Sequence, residues 1–133
     1  MALGHLGINV ADLDVARRYY GAVMGLLGHE CYVDDHDQFA YRPADGKRGT
    51  YLWFYPAADD TPYHRERTGL QHLAFMVPTR SAVRAAFDAA VAAGSAVIEP
   101  PRAFPEYPPP YFAAFWTDPF GMVLEAVCHH DRD

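Results

Sequence analysis

The sequence predicts an α+β fold in which two tandem βαβββ modules form a curved, half-barrel mixed sheet with helices on its convex face. Three observations carry that reading. His5-Leu6-Gly7-Ile8-Asn9-Val10 and His72-Leu73-Ala74-Phe75-Met76-Val77 each open a strand with a histidine and run into a helical pattern, 67 residues apart. The same displacement sets Val10 on Val77 and Ala16 on Val83. After each helix come three further strand-like runs, so a whole order of elements repeats, as expected when one structural unit is used twice. A βαβββ unit covers one sheet face with its helix and leaves the other open, so two units side by side curve around a concave pocket.

In the first strand Leu6, Ile8 and Val10 alternate with His5, Gly7 and Asn9. One face therefore packs, and the other presents a histidine, a gap and an amide to a cavity. Asp12 caps the helix that follows, where Leu13, Ala16, Tyr20, Val23 and Met24 recur at helical spacing before Gly25 and Gly28 stop it. Strands at 30–33, 39–42 and 51–55 come next, parted by turns at 34–37 and at Asp45-Gly46. The modules are placed at about 3–57 and 70–128, with a polar, aperiodic linker at about 58–69, all within one domain spanning 1–133. In the second module His72, Ala74 and Met76 take the cavity face, and Thr79 or Ser81 caps a helix whose stripe is Val83, Ala86, Phe87, Ala90 and Val91. Strands at 97–99, 112–117 and 122–127 complete it, the last two joined by the turn signal Asp118-Pro119-Phe120-Gly121. Residues 100–110 hold six of the eleven prolines, which predicts a stiff extended arm bordering the pocket.

A chain of 133 residues, half of them apolar, builds one real core and leaves little room for disorder beyond its ends. The net charge of −6, with 11 Lys and Arg scattered among 17 Asp and Glu, argues against nucleic acid or an anionic membrane as partner. No apolar run reaches membrane-spanning length and the N-terminus lacks a basic-then-apolar leader, so the expected location is the cytoplasm. Cys31 and Cys128 stand in strand-like apolar stretches without a metal or redox spacing, and both read as reduced core thiols.

Glu125 interrupts an apolar strand, where a buried charge costs several kcal/mol unless something compensates it. A divalent metal held by His5, His72 and Glu125 would do so, and two imidazoles with a hard carboxylate suit Fe, Mn, Ni or Zn. Taken singly, each histidine reads more simply as satisfied by water or backbone, and Glu125 equally well as an outward-facing acid; the matched positions make them a set. Tyr107 and Tyr111, flanking the prolines, are the candidate catalytic hydroxyls, while Asn9, Trp53, Met76 and Tyr111 are candidates for substrate contact. His29, His36 and His64 fall in turns or linker, and His129 and His130 in the tail, and none is given a role.

With its paired strand histidines, and above all the stretch from Tyr111 to His129 that contains Asp118-Pro119-Phe120-Gly121 and Glu125, the chain resembles the vicinal oxygen chelate superfamily. That superfamily includes glyoxalase I, extradiol dioxygenases and fosfomycin- and bleomycin-resistance proteins. The resemblance implies that His5, His72 and Glu125 are metal ligands. It also implies a metal-dependent enzyme, a lyase, isomerase or dioxygenase, that chelates a small oxygenated substrate and works as a homodimer. One departure stands out: glyoxalase I carries a second acid on the fourth strand of its first unit, and aligning Gly49 with Gly121 puts Trp53 there. Losing that base weighs against isomerase chemistry. The alternative is a metal-free binding protein that sequesters an antibiotic or metabolite, as bleomycin-resistance proteins do, its acidic charge suiting a cationic ligand.

Overall fold

The computed structural model describes residues 3–59 and 61–133. Contacts divide the chain between Pro62 and Tyr63 into two compact units. The first contains β1 (His5–Val10), α1 (Leu13–Val23), a 3₁₀ turn (Met24–Leu27), β2 (His29–Asp35), β3 (Gln38–Pro43) and β4 (Tyr51–Pro56). The second contains β5 (His72–Met76), α2 (Arg80–Ala92), β6 (Val97–Ala103), β7 (Phe112–Thr117) and β8 (Val123–Cys128). Each is a four-stranded mixed sheet with one helix, ordered β1-β4-β3-β2 and β5-β8-β7-β6. In both, the first strand pairs in parallel with the last, and the remaining pairs are antiparallel. The βαβββ plan and its repetition are those expected.

The repeat extends to packing. α1 buries Ala16, Tyr19, Tyr20 and Val23, and α2 buries Val83, Ala86 and Ala90. A shift of 67 residues carries Ala16, Tyr19 and Val23 onto those three. Each helix starts on a side-chain oxygen that satisfies an otherwise unpaired backbone N–H, Asp12 accepting from Val15 and Thr79 from Ala82. Gly28, at φ +81°, takes the left-handed turn that ends the first helical segment. Under α1, Tyr20 lies against Phe54 and Phe54 stacks on Phe39, with ring centroids 4.4 and 4.6 Å apart. β8 runs between β5 and β7, and all six of its residues are buried.

Three expectations need correction. Cys31 is exposed, because β2 is an edge strand whose side chains are mostly open to solvent; only Cys128 is a core thiol, and both are free. β6 does not stop at residue 99 but continues through Pro100 and Pro101 to Ala103. It too is an edge strand, and the register shift between Glu99 and Arg102 absorbs the prolines that no central strand would tolerate. The rest of the proline-rich segment is a loop rather than an extended arm. The Phe104 N–H donates to the Tyr111 carbonyl at 2.9 Å, closing it, and Phe104 packs into a cluster with Ala113 and Val127. No helix among the described residues is long and apolar enough to cross a membrane.

Candidate functional site

Glu125 stands at the middle of β8, in register with Ala74 of β5 and Phe115 of β7, and is 1% exposed. Leu124 and Ala126 on either side are fully buried, so a carboxylate here loses nearly all contact with bulk water. Two side chains meet it. The Tyr111 hydroxyl donates to Oε2 at 2.5 Å, and His72 Nε2 lies 3.2 Å from Oε1. His72 reaches it from the first residue of β5, and Tyr111 from the position just before β7. Burial, reinforced by the bond to Glu125 and by its negative charge, pushes the Tyr111 hydroxyl well above the usual tyrosine range. It stays protonated, as a donor.

The other ring nitrogen of His72 is held as well: Nδ1 meets Gln71 Oε1 at 2.5 Å. When Nδ1 donates to that amide oxygen, the lone pair of Nε2 is left facing the buried carboxylate. This is the outer-shell support that orients a metal-ligating histidine and fixes its tautomer. Two donor atoms 3.2 Å apart can share one ion at bond lengths of about 2.1 Å. His72 and Glu125 therefore fit half of a divalent site.

Both side chains line a cavity of ≈ 450 Å³ in the second module. Phe104, Tyr107, Tyr111 and Phe115 supply its aromatic lining. Phe104 meets Tyr111 and Phe115 edge-on, with centroids 6.0 and 5.6 Å away, and stacks on Tyr107 at 5.8 Å, while His72 sits 6.0 Å from Phe115. Arg65 and Arg102 add charge to the lining, with Glu99 and Glu106. Arg102 pairs with Glu99 at 3.3 Å and Glu106 at 3.6 Å, and lays its guanidinium over Phe104.

Of the residues expected at the site, His72, Glu125, Tyr111 and Tyr107 come together on this cavity. Met76 lies further along β5, highly exposed and outside that lining. His5, Asn9 and Trp53 belong to the first module, His5 and Asn9 exposed on β1 and Trp53 half-buried on β4. Among the described residues no three His, Cys, Asp or Glu side chains form a group able to hold a metal. Gly7 pairs with Trp53 as Ala74 pairs with Glu125, so the indole does occupy the place matched to the acid. There it stacks on Tyr55, with Tyr32 edge-on 6.2 Å away. Gln71, Arg65 and Arg102 were not foreseen. Gln71 directly precedes a candidate ligand, which is a usable signal, but Arg65 lies in the linker and nothing local marks it. His129, which the sequence places in the tail, sets its ring 5.1 Å from Tyr111.

Residues 2–126 match the family model of the Glyoxalase/Bleomycin resistance protein/Dioxygenase superfamily. The chain belongs to this superfamily. It is 28% identical over 126 residues to YqjT of Bacillus subtilis, covering 92% of this chain and 95% of that one. A solved structure from Bacillus halodurans, assigned provisionally to the glyoxalases, is 28% identical and superposes with a TM-score of 0.77, over 95% of this chain and 94% of the other. A glyoxalase/bleomycin resistance protein from Albidiferax ferrireducens shares the fold at 21% identity and a TM-score of 0.76, over 96% and 98%. The two βαβββ modules are thus the vicinal oxygen chelate fold of the glyoxalase superfamily.

Proposed function

We propose that this glyoxalase-superfamily protein is a metal-dependent enzyme, glyoxalase-like or extradiol-dioxygenase-like, acting on a small substrate with two adjacent oxygens. The observation that carries the reading is His72, its Nδ1 held by Gln71 and its Nε2 converging on the buried Glu125 beside a cavity. His72 and Glu125 would be two of the side chains that hold Fe, Mn, Ni or Zn. When bound, such an ion supplies Lewis-acid stabilisation of negative charge on the substrate oxygens. The chain does the rest. Gln71 keeps His72 in the tautomer that can ligate, and Tyr111 holds one oxygen of Glu125 so that the other points toward His72. The aromatic lining displaces water from the substrate, and the Tyr107 hydroxyl is a candidate donor to it. Trp53 in place of a second acid favours chemistry that needs no carboxylate base from the first module. The working unit is a cytoplasmic homodimer, for which sedimentation should give twice 14.9 kDa.

Metal analysis and titration of untagged protein test the reading. Wild type should bind one divalent ion per chain, and His72→Ala and Glu125→Gln should each weaken that binding at least tenfold. A metal-free binding protein is the second reading, supported by the hydrogen bond that Tyr111 already directs at Glu125. Tight binding of a cationic metabolite by protein that takes up no metal would establish it instead.

A further inference from the structure

We propose that Arg80 and Arg84 of α2 form a docking site for an extended acidic peptide segment whose carboxylates stand two residues apart, occupied here in cis by Asp131 and Asp133 and open to a competing segment in trans. Arg80 Nη2 pairs with Asp131 at 2.9 Å and Arg84 Nη1 with Asp133 at 3.4 Å. The two arginines lie one turn apart, a rise of about 6 Å, and alternate residues of an extended segment are about 6.6 Å apart, so the two rows match. The seat also reads the main chain. The Arg80 N–H donates to the Arg132 carbonyl at 3.0 Å, and Arg132 Nε donates to the Pro78 carbonyl at 3.1 Å. A bond to a backbone carbonyl selects a peptide over a free anion.

Exposed ion pairs ordinarily contribute little, because each must immobilise two long side chains. Here the arginines are held beforehand. Both guanidiniums lie over the buried ring of Phe112, 5.2 and 4.9 Å from its centroid, an arrangement that suits a planar, weakly hydrated cation. Arg80 Nε is shielded from solvent and has no hydrogen-bond partner among the described residues, since Asp131 takes only the neighbouring Nη2. A carboxylate placed side-on bonds both nitrogens, so the resident segment leaves a donor for a better-fitting occupant.

The first module supplies the contrast. A shift of 67 residues carries Arg17 onto Arg84. Arg17 also lies over a ring, that of Phe39 at 5.4 Å, but it takes its acid, Asp34, from β2 of its own sheet. Arg80 and Arg84 take theirs from beyond β8, from side chains 84% and 77% exposed that can leave without disturbing a strand. Release reaches the candidate site, because His129, between β8 and the seated aspartates, sets its ring against Tyr111, the donor to Glu125.

NMR of the whole ¹⁵N-labelled chain tests this, with an acetylated peptide of the sequence of residues 129–133 as probe, and the same peptide with asparagine at both acidic positions and inorganic phosphate as controls. In the double variant Asp131→Asn, Asp133→Asn, the Arg80 amide, the Arg80 and Arg84 Nε–H signals and the Tyr111 signals should all move. Added peptide should return the arginine signals to their wild-type positions. Wild type, its seat already filled, should need about tenfold more peptide for a comparable response. Arg84→Gln added to the double variant should abolish the response. Arginine or Tyr111 signals that stay in place in the double variant overturn the proposal, as does an equal response to the asparagine peptide. An equal response to phosphate overturns it too, leaving a general anion site.

Discussion

A hydrogen bond to a buried carboxylate is more costly to lose than to lack, because its partner keeps the full penalty of desolvation. Tyr111 and Glu125 are such a pair. Tyr111→Phe leaves Oε2 of a 1%-exposed acid without its hydroxyl donor and should destabilise the protein by about 1–3 kcal/mol at pH 7, read from urea unfolding. Unchanged stability would show that the carboxylate draws its compensation elsewhere. The pH dependence has a definite sign. The hydroxyl's value is raised on folding, so its contribution is complete below the unfolded value of about 10 and declines as pH rises beyond it. Wild type should therefore lose stability above pH ~10 more steeply than Tyr111→Phe. Tyr41 and Tyr63, also shifted upward by burial, act equally in both proteins and cancel in the comparison.

Elements whose ends are marked by local chemistry were legible; those decided by neighbours in space were not. Asp12 and Thr79 each announce a helix start, and the apolar stripes that follow gave both helices to within a residue or two. The turn at Asp118 is legible for the same reason. The strand bounds at β2 and β6 were short because an edge position, not residue type, allows a proline or an exposed cysteine in a ladder. The two kinds of marker differ in strength. Asp118, buried, accepts from the backbone N–H groups of Phe120 and Met122 at 2.8 and 2.9 Å, whereas the Asp12 cap is exposed. Asp118→Ala should cost about 2–3 kcal/mol and Asp12→Ala about 1 kcal/mol. Thermal unfolding of the two variants side by side checks the order, and a smaller loss in Asp118→Ala would show that the β7–β8 turn forms without its aspartate.

Duplication made half of the candidate site readable over the length of the molecule. His72 stood out because His5 preceded it at the matched position, and Glu125 because a charge interrupted the final strand. Arg65 and Gln71 carry no such mark, since what recruits them is a cavity that exists only once β5, β7, β8 and the 104–111 loop have assembled. The duplication is also incomplete where the chemistry lies. The first module has Trp53, stacked on Tyr55, at the place where the second has Glu125, so only one module offers a buried carboxylate beside its strand histidine. The two modules should accordingly yield one metal site per chain rather than two. An ion that binds only the folded chain stabilises it in proportion to the logarithm of its concentration, by about 2.7 kcal/mol at one hundred times Kd. For a chain of this size that corresponds to a rise in Tm of roughly 10 °C. The rise should be absent in Glu125→Gln and present in Trp53→Phe, which leaves the second module's ligands untouched. A second saturating step in the titration, or a shift that survives Glu125→Gln, would place the ion somewhere other than on the buried acid of β8.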